Sequence, residues 1–274
     1  MGKPKLEFKE YHTATSGIFF SIDRVLRHTK SDYQDILLFE NEFWGKVFVL
    51  DGLVMSTDRD EFFYHEALTH PPMVISGDIN EVLIVGGGDG GTLREVLKYG
   101  VKKVIIAEID VEVLRLAKDF LNMEGTFADE RVFIRVEDGF KVVKEGNKYD
   151  VILVDSTDPV GPAEVLFSRE FIEGLRESLN EWGFLSMQLG NPLFYKDQIT
   201  QTYNIVRQNF KNVKLYASFT PTYPGGFWVF LLAGDGEVSL KRSLPKDNRF
   251  LVSGDVLQAL LKFEDFIKRF CEIA

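Results

Sequence analysis

The sequence has very little cysteine and histidine: its 274 residues include one cysteine, Cys271, and four histidines. A single cysteine cannot form a disulfide within one chain or a cysteine-based metal site, so we expect a reducing compartment, the cytoplasm. No apolar run approaches the roughly 20 residues that span a bilayer, and the first residues lack the apolar core of a signal peptide. We therefore expect no membrane partner.

Basic residues are fewer than acidic ones. Acidic residues number 42 against 32 basic ones, so the formal net charge is −10 at pH 7. Such a chain on average repels nucleic acid and attracts cationic small molecules, and we expect no nucleic-acid partner. A hydrophobic content of 45% in a chain of this length is sufficient for one large domain, alone or with a small second one.

The first part of the chain, to about Thr57, contains short apolar runs separated by polar turns. Runs such as GIFFSI, QDILLFEN and GKVFVLDG predict a small antiparallel sheet, and we place an N-terminal β-domain at residues 1–58. From residue 60 the segment DEFFYHEALTHPPMV has helical spacing, and we expect Pro71 and Pro72 to end the helix.

Strand and helix patterns alternate through the rest of the chain. Runs such as EVLIVG, KVIIAEID and YDVILVD are each followed by a helical pattern, which predicts an α/β domain: a parallel-rich sheet with helices on both faces. The strands KLYASF and FWVFLLAG and an apolar helix around Leu257 to Phe270 complete this second domain, which we place at residues 59–274. Ligands of such sheets bind at the carboxyl ends of the strands.

The stretch VLIVGGGDGGTLREVL reads as a buried strand, a tight glycine turn and the start of a helix. Gly86, Gly88 and Gly91 have the spacing of a dinucleotide-binding loop, but Asp89 would point a carboxylate at the pyrophosphate. Glu108 ends the next strand, where a carboxylate commonly accepts hydrogen bonds from a ribose diol. The sequence thus predicts an adenosine ligand whose other end is not a phosphate.

A later strand ends in DSTDPVGPAEVLF, which places Asp155 and Asp158 at the same edge of the sheet. Two neighbouring carboxylates repel each other, so we expect a cationic group between them. A sulfonium nucleoside meets this requirement. Asp89 would repel the carboxylate of S-adenosylmethionine, whereas the decarboxylated form carries only the favourable ammonium.

Seven segments, taken together and in this order, resemble the polyamine aminopropyltransferases, the spermidine synthase family. They are YQDILLFEN (33–41), DEFFYHE (60–66), GGGDGG (86–91), AEID (107–110), EDGF (137–140), DSTDPVGPAE (155–164) and PTYPGG (221–226). The resemblance implies a methyltransferase-like Rossmann domain after the N-terminal β-domain. It also implies transfer of an aminopropyl group from decarboxylated S-adenosylmethionine, a co-substrate rather than a tightly bound cofactor, to a polyamine.

The resemblance also implies a role for each matching residue. For the nucleoside these are Gln34 and Glu108 at the ribose, Asp138 and Gly139 at the adenine, and Pro162 in the adenine pocket. Asp89 should bind the aminopropyl ammonium, and Tyr64, His65, Asp158, Gln188 and Tyr223 should line the amine channel. Asp155 corresponds to the proton acceptor, and the Tyr64 hydroxyl can orient the attacking nitrogen. From the residues alone, Asp138 is equally well explained as a turn residue and Gln188 as a polar residue at a strand end.

A zinc site is not expected, because His65 and His70 are five residues apart and a helix would separate them by about 140° at ~3.6 residues per turn. Putrescine is the default acceptor, with agmatine, cadaverine, spermidine and a norspermidine precursor as alternatives. More remote functions are an NAD-dependent dehydrogenase, a methyltransferase and a non-catalytic polyamine-binding module. We also expect a homodimer or homotetramer, since the short N-terminal sheet cannot bury both of its faces alone.

Overall fold

The computed structural model describes residues 6–157 and 161–273, and only the backbone of 161–163. The N-terminal part forms two antiparallel sheets rather than the single one expected. The first is a hairpin of β1 (Leu6–Tyr11) and β2 (Gly17–Ile22). The second contains β3 (Arg24–Lys30), β4 (Asp35–Asn41), β5 (Gly45–Leu50) and β6 (Leu53–Thr57), paired in that order.

The first helix, α1, spans Glu61–Ile75 and contains Pro71 and Pro72, so the expectation that these prolines end it is wrong. Pro71 has no N–H to donate to the carbonyl of Ala67. The buried Tyr216 hydroxyl donates to that carbonyl instead, at 2.8 Å. The helix ends at Ser76, whose backbone turns to an extended conformation.

A seven-stranded sheet forms the centre of the second part of the chain, in the order β12-β13-β11-β10-β7-β8-β9. Its strands are β7 (Glu81–Gly86), β8 (Lys103–Glu108), β9 (Val132–Val136), β10 (Tyr149–Asp155), β11 (Leu179–Gly190), β12 (Asn212–Phe219) and β13 (Phe227–Gly234). The pairs among β7 to β11 are parallel, and β13 is antiparallel to both β11 and β12.

Helices cover both faces of this sheet. They are α2 (Gly91–Leu97), α3 (Val111–Phe120), α4 (Glu124–Phe127), α5 (Gly139–Val143), α6 (Arg169–Ser178), α7 (Pro192–Asn209), α8 (Gly254–Leu261) and α9 (Glu264–Cys271). The expected single helix around Leu257 to Phe270 is therefore two. Lys262 and Phe263 donate backbone N–H groups to carbonyls three residues earlier, a tighter turn than the α-helix has, before α9 begins.

Strand β7 shows why the central strands are apolar at successive positions. Val82 and Ile84 belong to the hydrophobic cluster on one face of the sheet, and Leu83 and Val85 belong to the cluster on the other face. A strand buried on both faces needs apolar residues at every position, which explains the continuous run VLIV. In the described ranges no helix is long and apolar enough to cross a membrane.

Candidate active site

A cavity of about 530 Å³ lies where the carboxyl ends of β7, β8 and β10 face the four-stranded N-terminal sheet. It gathers most of the residues that the sequence predicts for the site. Those lining it are Gln34, Tyr64, His65, Asp89, Glu108, Asp138, Gly139, Asp155 and Tyr223. Asp158 lies outside the described residues, as does the side chain of Pro162.

The glycine turn after β7 brings the ends of β7 and β10 into contact. Gly86 has a φ of +79°, and a Cβ on it would lie 2.1 Å from the carbonyl oxygen of Asp155. The N–H of Gly87 donates to that same oxygen at 2.9 Å. Only glycine allows this approach at Gly86, and the approach places Asp155 beside the turn.

The carboxylate of Asp89 faces the cavity, as the sequence predicts. Its Oδ1 accepts the N–H of Gly91 at 3.0 Å, and its Oδ2 lies 3.4 Å from Nε2 of His65. Burial would raise the pKa of Asp89, but the neighbouring His65 and the Gly91 N–H outweigh burial and lower that pKa. The loop therefore presents a negative charge to the ligand, which suits an ammonium and not a pyrophosphate.

The ring of His65 is held between two carboxylates. Its Nδ1 lies 2.6 Å from Oε2 of Glu61, on the opposite side from Asp89. Burial alone would lower the pKa of His65, but Asp89 and Glu61 outweigh burial and raise it well above its usual value. Polar atoms of His65, Asp89 and Asp155 lie within 4.8 Å of one another, close enough for a metal ion. An imidazolium has no free lone pair, however, so a metal ion would have to displace the proton that Glu61 and Asp89 favour on His65.

Both oxygens of Asp155 accept hydrogen bonds from hydroxyl groups. The Tyr64 hydroxyl donates to Oδ1 at 2.8 Å, and the Thr92 hydroxyl donates to Oδ2 at 2.6 Å. Burial raises the pKa of Asp155, and the nearby Asp89 raises it further. Sequence reasoning missed Thr92, although its place directly after GGGDGG, in the first turn of α2, puts it at this edge of the sheet.

Glu108 accepts two backbone N–H groups, from Gly88 at 3.2 Å and from Asp110 at 2.9 Å. Its burial raises its pKa to about 7. Gln34 donates its side-chain amide to Asp110 at 2.8 Å, and Ser31 donates its hydroxyl to the same oxygen at 2.6 Å. Asp110, which the sequence analysis did not single out, thus connects the loop between β3 and β4 to Glu108 in the cavity.

Asp138 serves as the N-cap of α5, since its Oδ1 accepts the N–H of Phe140 at 2.9 Å. The side chain nevertheless lines the cavity. At the following position, a Cβ on Gly139 would lie 2.4 Å from Cγ1 of Val85, so this residue must be small. Asp138 can therefore cap the turn into α5 and still face a ligand in the cavity.

Gln188 does not line the cavity. Its side-chain N–H groups donate to the carbonyls of Ser156 and Thr157 at 3.0 and 3.2 Å, and its Oε1 accepts Nε1–H of Trp228 at 3.1 Å. In this arrangement the amide supports the loop after β10, and direct contact with substrate remains a prediction. Tyr223 does line the cavity, where its ring centroid lies 5.6 Å from that of Tyr64.

Comparison with known proteins agrees with this geometry. The family model described as "Spermine/spermidine synthase domain" matches residues 61–242, and the one described as "Spermidine synthase tetramerisation domain" matches residues 7–58. The chain belongs to the spermine/spermidine synthase family. Among curated members, the polyamine aminopropyltransferase of Shouchella clausii is 42% identical over 82% of this chain and 83% of its own. That of Thermoplasma volcanium is 37% identical over 95% of this chain and 96% of its own.

Solved structures of family members have the same fold over the whole chain. One is described as spermidine synthase in complex with the transition state analogue AdoDATO, with a TM-score of 0.92 and 35% identity over 100% of this chain and 97% of the other. Another, spermidine synthase from Thermotoga maritima, has a TM-score of 0.91 and 34% identity over the same shares. The predicted α/β architecture and the predicted family are thereby confirmed, and the protein is an enzyme of the aminopropyltransferase type.

Proposed function

We propose that this aminopropyltransferase moves the aminopropyl group of decarboxylated S-adenosylmethionine to putrescine, giving spermidine and methylthioadenosine. The observation that carries the proposal is the partly buried carboxylate of Asp89 in the glycine turn, beside Asp155. A dehydrogenase would need that turn for a pyrophosphate, and S-adenosylmethionine would bring a second carboxylate to Asp89. The structurally similar spermidine synthase in complex with AdoDATO supports the same reaction.

The nucleoside and amine ends of the cavity have different chemistry. In the proposed complex Glu108 accepts hydrogen bonds from the ribose hydroxyls, and Gln34, whose amide is hydrogen-bonded to Asp110, lies nearby. Asp138 and Gly139, which also line the cavity, contact the adenine. At the other end Asp89 receives the aminopropyl ammonium. We expect these contacts to hold the carbon next to the sulfonium close to Asp89 and Asp155.

The reaction is a displacement in which the acceptor nitrogen attacks that carbon and the neutral thioether leaves. An alkylammonium, with a pKa of about 10.4 for a lysine-like amine, has no lone pair, so the nucleophile must first lose a proton. Asp155 accepts this proton, and the Tyr64 hydroxyl, hydrogen-bonded to Asp155, orients the nitrogen. Alignment of the two bound substrates supplies much of the remaining rate, on the order of 7 to 11 kcal/mol.

A turnover assay with a panel of amines tests the proposal. With decarboxylated S-adenosylmethionine as donor, we expect the highest kcat/KM for putrescine over cadaverine, agmatine, spermidine and a norspermidine precursor. Asp155→Asn should lose roughly 10²-fold or more in kcat, because it removes the proton acceptor. No turnover with any of these amines would contradict aminopropyl transfer, and a preference for another amine would contradict putrescine as the substrate.

We also propose that residues 1–58 form a separate domain and that the protein associates through it as a homodimer or homotetramer. Tyr11 on β1 and Phe19 on β2 are 68% and 67% exposed in the single chain. Both project from the same face of the hairpin, because Phe19 pairs with Lys9 and Tyr11 with Gly17. Two exposed aromatic rings on one sheet face fit an interface between copies of this chain.

A further inference from the structure

Glu61 contacts His65 from outside the active-site cavity. It lies in the first turn of α1, in the wall of a second cavity of about 520 Å³ that Arg94 and Asp247 also line. Its Oε2 lies 2.6 Å from Nδ1 of His65 and accepts a hydrogen bond from Arg94 at 2.8 Å. The pair Glu61–His65 therefore joins the two cavities.

The His65 ring has one fixed position. A Cβ on Gly91 would lie 2.2 Å from Cε1 of His65, so the ring rests directly on the backbone at the start of α2. The titratable groups that face it are Glu61 and Tyr64 from its own helix, Asp89 from the glycine turn and Asp155 from the end of β10, with Arg94 of α2 behind Glu61. Carboxylates on both sides of the ring favour a proton on each nitrogen.

A cation at this position changes the chemistry of the amine. Asp89 and Asp155 both attract an alkylammonium, yet only the neutral amine can attack the sulfonium carbon. A positive charge fixed beside these two carboxylates opposes binding of the acceptor nitrogen as a cation and lowers the pKa of the bound amine. The contacts of the ring with Glu61 and Asp89 favour this charge on His65 in the protein without substrate.

We propose that Glu61 is a positioning residue that keeps His65 as an imidazolium, and that this cation favours the neutral form of the acceptor amine beside Asp155. The proposal rests on the proposed function for the identity of the nucleophile. The nitrogen gives up one proton to Asp155, the C–N bond forms, and the C–S bond breaks with its electron pair going to sulfur. His65 and Glu61 neither gain nor lose a proton in this sequence.

The charge of His65 can be measured directly, without turnover. Nitrogen-15 NMR titration of the histidine rings should show His65 protonated at pH 7 in the unmodified protein. Glu61→Gln keeps a hydrogen-bond acceptor but removes the charge, and should lower the pKa of His65 far enough that the ring is largely neutral at pH 7. Glu61→Asp, which retains the charge, should lower it less. A neutral His65 at pH 7 in the unmodified protein, or a His65 that remains fully protonated at pH 7 in Glu61→Gln, would overturn the proposal whichever amine is the substrate.

The kinetic consequence separates this role from a structural one. In Glu61→Gln the bound amine should titrate about one unit higher, so kcat at pH 7 should fall about tenfold and recover at higher pH. KM for the amine should be unchanged or lower, because less positive charge opposes the bound ammonium. Asp247→Asn is the matched control, since Asp247 lines the second cavity but is 71% exposed and pairs with Lys98 rather than His65. A fall in kcat that is equal at every pH would overturn the proposal.

Discussion

At the scale of single residues, side chains at or beside the cavity cap a helix and hold or face a second group at once. Asp110 caps α3 with Oδ1, which accepts the N–H of Glu112 at 3.0 Å, while its Oδ2 holds Gln34 and Ser31. Asp138 caps α5 in the same way. The sequence places Asp138 correctly at the end of a strand. It cannot show that one carboxylate oxygen of Asp138 accepts a hydrogen bond from the N–H of Phe140.

Glu108 gives a prediction about pH. In the role proposed for Glu108, only its carboxylate can accept both ribose hydroxyls. With a pKa of about 7, a proton therefore competes with the ligand near neutrality. The affinity for the nucleoside is therefore complete above pH 7 and lost as the pH falls through it, by about tenfold per pH unit. Calorimetry with methylthioadenosine, which has no ammonium to involve Asp89, measures this from pH 5.5 to 8.5.

The control for this measurement is Glu108→Gln, which should bind methylthioadenosine more weakly and with no dependence on pH in that range. A flat profile in the unmodified protein would show that Glu108 is not the group that titrates with ribose binding. A profile that persists in Glu108→Gln would assign the titration to another residue.

At the scale of elements, helix α1 shows what a local pattern cannot predict. Its apolar spacing predicts the start of the helix correctly. The prediction that Pro71 and Pro72 end the helix is wrong, because a hydroxyl from another part of the chain replaces the N–H that Pro71 lacks. The Tyr216 hydroxyl that donates to Ala67 belongs to β12, 149 residues further along the chain. Strands β7, β8 and β10 were predictable because each is a short apolar run bounded by turn residues.

Tyr216 should therefore contribute measurably to stability. Its hydroxyl contacts the Ala67 carbonyl at 2.8 Å and the Ser186 hydroxyl at 2.9 Å, and all three groups are buried. Tyr216→Phe leaves buried polar groups without this partner and should lower the free energy of unfolding by about 1 to 3 kcal/mol. Urea denaturation measures this. Tyr33→Phe, at a residue that is 46% exposed, serves as the control, and an equal effect of the two substitutions would contradict the account of the proline-containing helix.

At the scale of the whole molecule, the active site depends on contact between the N-terminal sheets and the Rossmann part. Tyr223, in the loop before β13, donates its hydroxyl to the carbonyl of Met55 on β6. Buried Asp60 accepts the hydroxyls of Thr57 and Thr222 at 2.6 and 2.7 Å and so connects the same regions. Most residues singled out from the family motifs line the cavity. Thr92 and Asp110 were missed because they act through contacts with distant segments, Asp155 and Gln34, that one sequence does not reveal. Glu61 is only one helical turn from His65, but the sequence does not show that the two side chains meet.

Association of whole chains gives a further prediction. Because Tyr11 and Phe19 expose two aromatic rings on one face of the hairpin, light scattering at micromolar concentration should show a dimer or tetramer. Phe19→Glu places a charge on that face and should shift the protein toward smaller species. A monomer in the unmodified protein would contradict association through residues 1–58.

The most direct test of the proposed function compares two nucleosides. Asp89 should pair with the ammonium of decarboxylated S-adenosylmethionine and repel the extra carboxylate of S-adenosylmethionine. In Asp89→Asn, which can keep the hydrogen bond from Gly91 at Oδ1, affinity for the decarboxylated form should fall by roughly one to two powers of ten, as expected for a charge-assisted hydrogen bond of about 1.5 to 3 kcal/mol. Calorimetric Kd values for both nucleosides on both proteins should therefore show a reduced preference in the variant. An unchanged ratio of the two Kd values would mean that Asp89 only shapes the glycine turn, and would contradict the proposed basis for selecting the decarboxylated nucleoside.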